Sequence, residues 1–93
     1  MARFYPTEDQ FNAINREIDR SRADQNTEGL RRDLAAFAHG RADELDRIMR
    51  GADTPSLARL RRDDDLANTR GLGLAYIKGE QSAVDYIEAL AKR

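Results

Sequence analysis

Apolar residues recur at spacings of three and four through the middle of the chain: Leu30, Leu34, Phe37, Ala38, Ala42, Leu45, Ile48 and Met49. Residues so spaced share one face of an α-helix, whereas a half-buried strand alternates every second residue. No window of the sequence shows sustained strand alternation. The pattern therefore points to helices packed on helices rather than on a sheet. The helix read from this stripe spans 29–50. It stays in phase across His39 and Gly40, although glycine inside a helix costs about 1 kcal/mol relative to alanine. Gly40 is expected to be a weak point or a place of close backbone contact. Arg47 and Arg50 suit the negative end of the helix dipole, and Gly51 is placed to cap it.

Start and stop signals divide the rest. Phe4 and Tyr5 sit in a proline-terminated stretch, and the residue before a proline avoids the helical region, so 1–6 reads as an extended arm. Thr7 followed by Gln10 has the form of a capping box, opening a helix over 8–25 with acidic Glu8 and Asp9 in its first turn. Phe11, Ile14 and Ile18 form its apolar stripe, which fails at Ser21, Arg22 and Gln25. Thr54-Pro55 is a second start, with a hydroxyl N-cap before proline at the first helical position. Leu57 and Leu60 follow it at i, i+3. Helix is expected over 55–78, with a joint at Lys78-Gly79-Glu80 and a last helix over 82–92 opened by Ser82 and Asp85. Whether the Asp63-Asp64-Asp65 run divides 55–78 is left open by the pattern. The expected fold is all-α: one domain over 1–93, a small bundle of three to four helices, made of a helical hairpin plus C-terminal helices with an extended N-terminal arm.

With 93 residues, a chain exposes roughly a third or more of its potential surface when folded. Charged residues make up 35%, but 16 Lys plus Arg nearly balance 17 Asp plus Glu. Disorder usually goes with large net charge, so charge-laced helix surfaces on a folded chain are expected. The absence of cysteine excludes disulfides and thiolate zinc sites. No apolar run approaches the roughly 18 residues of a membrane span. The first ten residues carry no apolar segment of the kind a secretory leader needs.

One pattern stands out. Ala67, Gly71, Ala75, Gly79 and Ala83 follow strict i+4 spacing, which places side chains on one helix ridge. Five small residues on one ridge would make a groove into which another helix could pack closely. It reads either as a groove for another copy or a partner, or as the contact with the 29–50 helix. A second feature is local charge. Residues 47–62 hold Arg47, Arg50, Arg59, Arg61 and Arg62 against the single acid Asp53, a candidate surface for an anionic partner. Three aspartates follow and the segment has no aromatic residue for stacking, so nucleic acid is a lesser expectation.

Chemistry-bearing arrangements are otherwise scarce. Gly71-Leu72-Gly73 starts like a dinucleotide fingerprint, but Tyr76 stands where its third glycine belongs and no strand precedes it. His39, the single histidine, has Asp43 one turn later, which falls short of the three or four ligands of a metal site. The Asp63-Asp64-Asp65 run lacks the spacing of a calcium loop. No catalytic, metal or cofactor site is expected, and the chain does not read as an enzyme.

The segment from Asp65 through Arg70-Gly71 to Ile77, leading into Ser82-Ala83-Val84-Asp85-Tyr86-Ile87, resembles the C-terminal part of short helical accessory proteins of tailed bacteriophages. In these a long amphipathic helix is followed by one that opens around an Arg-Gly pair. The likeness covers about a quarter of the chain and implies no catalytic residue. It implies an accessory role in particle assembly or in the phage–host contest, in a host cytoplasm or a virion. The expectation is a protein–protein interaction or assembly module. It would be held as a homo-oligomer or against a larger protein through the small-residue ridge, with Phe4 and Tyr5 as a docking arm. The alternative is a small inhibitor or regulator that binds a host protein or a nucleotide through the arginine surface or the acidic faces.

Overall fold

Two reciprocal hydrogen bonds open the first helix. The Gln10 amide donates to the Thr7 hydroxyl at 3.2 Å, and the Thr7 amide donates to the Gln10 side chain at 2.9 Å. The computed structural model describes residues 3–27, 29 and 31–92, with the backbone alone for Arg62. Among these, α1 spans Glu8–Gln25, α2 Arg32–Met49, α3 Pro55–Asn68 and α4 Leu72–Ala91. There is no strand among the described residues. The chain is a small all-α bundle.

α1 runs on to Gln25 although its apolar stripe fails, because Ser21 is small enough to be buried beside Ala38 of α2. α2 starts later than its pattern suggests. Arg31 is extended at its N-cap with no side-chain cap, and Leu30 lies outside the described residues. The end of α2 matches its signals. Gly51 takes φ +74°, its amide donates to Ile48 at 3.1 Å, and the Ala52 amide donates to Arg47 at 2.9 Å. This double bond is the Schellman arrangement, and the left-handed position favours glycine. Thr54 caps α3 through the Leu57 amide, with Pro55 at the first position.

The expected boundary between the last two helices is corrected. α3 ends at Asn68, Thr69 is extended, and Gly71 takes φ +68° before α4 begins. A left-handed residue ends any continuous ridge at that point. There is no joint at Lys78-Gly79-Glu80, and Ser82 caps nothing. It lies inside α4, where its hydroxyl donates to the Gly79 carbonyl at 2.7 Å and accepts from Arg41 at 2.9 Å. The aspartate run lies within the single helix α3.

α2 and α4 share the most extensive helix contact, and glycine makes it possible. A β-carbon on Gly40 would stand 2.0 Å from the Tyr76 carbonyl oxygen, and one on Gly79 would stand 1.9 Å from the Phe37 carbonyl oxygen. The two backbones meet with no side chain between them. Arg41 reaches Ser82 further along, so the helices run in the same sense and their amino ends lie together. α1 runs against both, its Gln10 donating to the Leu90 carbonyl at 3.1 Å. The core gathers at the carboxyl ends of α2 and α4. Ile14, Leu45, Ile48, Val84, Ile87 and Leu90 fill it, and Ala58 brings α3 against them. Phe4 of the N-terminal arm is buried in the same cluster, whereas Tyr5 is 76% exposed. The arm is thus half core and half surface, rather than a free docking segment through both aromatics.

Candidate functional site

The five-residue ladder does not form one ridge. Ala67 is exposed on α3, Gly71 is the exposed N-cap of α4, and Ala75, Gly79 and Ala83 lie on α4. Gly79 and Ala83 are buried within the chain, Gly79 against α2. Of the two readings of the pattern, close packing inside the chain accounts for this lower part. The upper part is divided by the turn at 69–71 and offers no continuous groove.

The arginine surface is also rearranged by folding. Arg47 donates to Glu44 at 3.2 Å and pairs closely with Glu80. Arg50 pairs with Asp46 at 2.9 Å, Arg59 with Glu88 at 3.0 Å and with Asp85, and Arg61 with Asp53. Every described member of the patch therefore engages a carboxylate of the same chain. The Arg62 side chain lies outside the described residues. A local count of +4 along the sequence does not survive as a field, because α2 and α4 supply the counter-charges that the count omits.

Two acidic centres were hidden in the sequence among ordinary surface charges. Glu44 is fully buried, and Asp53 and Glu80 are nearly so. Arg47 joins Glu44 to Glu80, and Arg61 holds Asp53. Burial pushes the Asp53 carboxyl up, but its polar neighbours, with Arg61 and the Thr54 amide donating to it, outweigh burial and hold it below its ordinary value. The second centre is Asp43. It accepts from the Tyr76 hydroxyl at 2.8 Å, from Arg22 at 3.2 Å, and lies 3.0 Å from the His39 ring nitrogen. Burial again pushes upward, and these partners again win, so Asp43 is held low. Tyr76 is raised, first by burial and then by its bond to Asp43. The His39 and Tyr76 rings meet edge to face at 5.2 Å. These contacts tie α1, α2 and α4 together. Among the described residues no group of three or more histidine, aspartate or glutamate side chains is arranged to hold a metal ion.

Large apolar side chains also face outward, among them Phe11 of α1, 48% exposed, and Leu72 of α4, 42% exposed. Leu57 and Leu60 of α3 are 57% and 69% exposed. They share a face by their i, i+3 spacing, and α3 packs inward through Pro55 and Ala58. At the far end of the molecule, Leu34 and Phe37 of α2 face Leu74 and Ala75 of α4 across an open groove of about 290 Å³. Asp33, Gly71 and Lys78 complete its lining. The groove lies at the amino ends of α2 and α4, on the side of the glycine contact away from the core. The signal for the groove in the sequence was the surplus of apolar residues at the start of α2. The signal for the ridge was that the next positions in line after Leu60, 63 and 64, are aspartates.

No described helix is long and apolar enough to cross a membrane. Comparison with protein-family models, with curated proteins and with solved structures finds no match.

Proposed function

We propose that the chain is a non-catalytic helical module that acts by holding other protein surfaces, its own copies or a larger assembly, through apolar helix faces. The observation that carries this reading is the pair of outward apolar surfaces, the Leu57–Leu60 ridge on α3 and the Leu34–Phe37 groove between α2 and α4. Single exposed apolar residues are ordinary, whereas contiguous ones mark interaction surfaces. The titratable groups that the fold brings together support the same reading, since they tie helices to one another within the chain. The resemblance of the C-terminal segment to accessory proteins of tailed bacteriophages adds a setting to it, that of a part in particle assembly.

The test is site-specific photo-crosslinking in the cells that make the protein. A crosslinking side chain is placed at Leu60 or Leu34, with exposed Asn12 of α1 as the control position. Defined protein adducts from positions 60 and 34, with none from 12, are expected. No adduct at either apolar surface would contradict the proposal.

A further inference from the structure

We infer that copies of the chain associate head to tail, the α3 ridge of one seated in the α2/α4 groove of the next. The inference rests on the proposed interaction function and names the partner.

The two surfaces match in apolar character, and the exposed aspartates of one answer the lysine at the edge of the other. On α3, Leu57, Leu60 and Asp64 stand at i, i+3 and i+7, which is one line along a helix. Asp63 and Asp64 are both exposed, so the ridge is apolar at its start and acidic towards its end. The groove reverses this. Its walls are apolar, with Leu34, Phe37, Leu74 and Ala75, and Lys78 is exposed at its edge. Its single acidic lining residue, Asp33, is held by Arg31 at 2.8 Å. Asp33 is further engaged by the Leu34 amide, which donates to its carboxylate at 3.0 Å, so Lys78 is the one charged lining residue without a partner among the described residues. A helix face with two leucines followed by aspartates fits such a groove in both respects.

The two surfaces cannot satisfy each other within one molecule. The start of α3 is fastened to the last turns of α4 by Arg59 with Asp85 and Glu88, while the groove lies at the first turns of α4. Using one surface leaves the other free. Such a contact is heterologous, and repetition of it gives a ring or a filament instead of a closed two-fold dimer.

The experiment uses complementary variants of the full chain. A ridge variant carries Leu57→Arg and Leu60→Arg. A groove variant carries Leu34→Asp and Lys78→Glu. All four positions are exposed, and retained helicity and cooperative melting check that each variant folds. Light scattering on a sizing column then follows mass against concentration. The wild type is expected to exceed its 10.6 kDa monomer mass, and each variant alone to lose association by at least about tenfold in concentration. The equimolar mixture is expected to form a pair of one chain each and nothing larger, since one intact ridge meets one intact groove. A mixture that stays monomeric, or single variants that assemble like the wild type, would overturn the head-to-tail contact. A wild type that assembles despite either result leaves the broader interaction reading standing. A monomeric wild type that still crosslinks to a different protein at Leu60 does the same. Absence of both assembly and crosslinks would remove both.

Discussion

Gly40 and Gly79 are the residues on which the fold most depends. Each faces a backbone carbonyl of the other helix, so an added methyl has no flexible side chain to displace. Gly40→Ala and Gly79→Ala are each expected to cost about 2–4 kcal/mol in urea unfolding, despite the gain in helix propensity. Gly71→Ala offers the contrast. Its surroundings are open, and only the left-handed backbone resists the change, so about 1 kcal/mol is expected. Spacing alone put residues 71 and 79 on one ridge. It could not distinguish a glycine that lets two helices touch from one that turns the chain. Asp43 and Asp53 carry a second expectation. Their folded values lie below the ordinary aspartate value of about 3.9, so their contribution is fully present above that pH. It is lost as pH falls through the lowered folded values. Stability should therefore drop below about pH 4, and Asp43→Asn should flatten that acid limb in a melting series.

At the scale of the element, the starts of α1 and α3 and the end of α2 were legible because local chemistry sets them. Thr7 with Gln10, Thr54 with Pro55, and Gly51 after α2 each satisfy orphan backbone groups through residues within a turn of the boundary. Thr7→Ala removes the hydroxyl that accepts the Gln10 amide and is expected to cost about 1 kcal/mol in thermal unfolding. The junction between α3 and α4 was not legible in the same way. Thr69-Arg70-Gly71 carries no proline, and the small residues at i+4 continued the helical phase straight through it. The supposed joint at Lys78-Gly79-Glu80 was the converse case. There weak helix formers are held helical by packing on α2, a tertiary effect that propensity does not contain. For Leu57 and Leu60 the sequence showed a shared spacing and no more. Periodicity reports that two leucines share a face, but which face α3 turns inward was decided by Pro55 and Ala58.

The whole molecule is lopsided. Its core occupies the end where α2 and α4 finish, and the N-terminal arm closes that end with Phe4. The opposite end carries the open groove, and α3 lies along the side with its leucines outward. A Cα radius of gyration of 12.9 Å, close to the roughly 12 Å expected for a domain of this length, shows that this asymmetry is not looseness. The described arginines of residues 47–61 are answered by carboxylates of α2, α4 and the α2–α3 turn. The sequence could show both the arginines and the acids but not their pairing, which joins positions dozens of residues apart. Exposed apolar side chains include the leucines of α3 and those that line the groove between α2 and α4. The most direct measurement is the mass of the wild-type protein in solution, by light scattering across a wide concentration range. Mass above the 10.6 kDa monomer, growing past that of a pair or settling at a closed ring, is the expected result. A 10.6 kDa particle at every concentration, melting cooperatively, would contradict assembly through these faces.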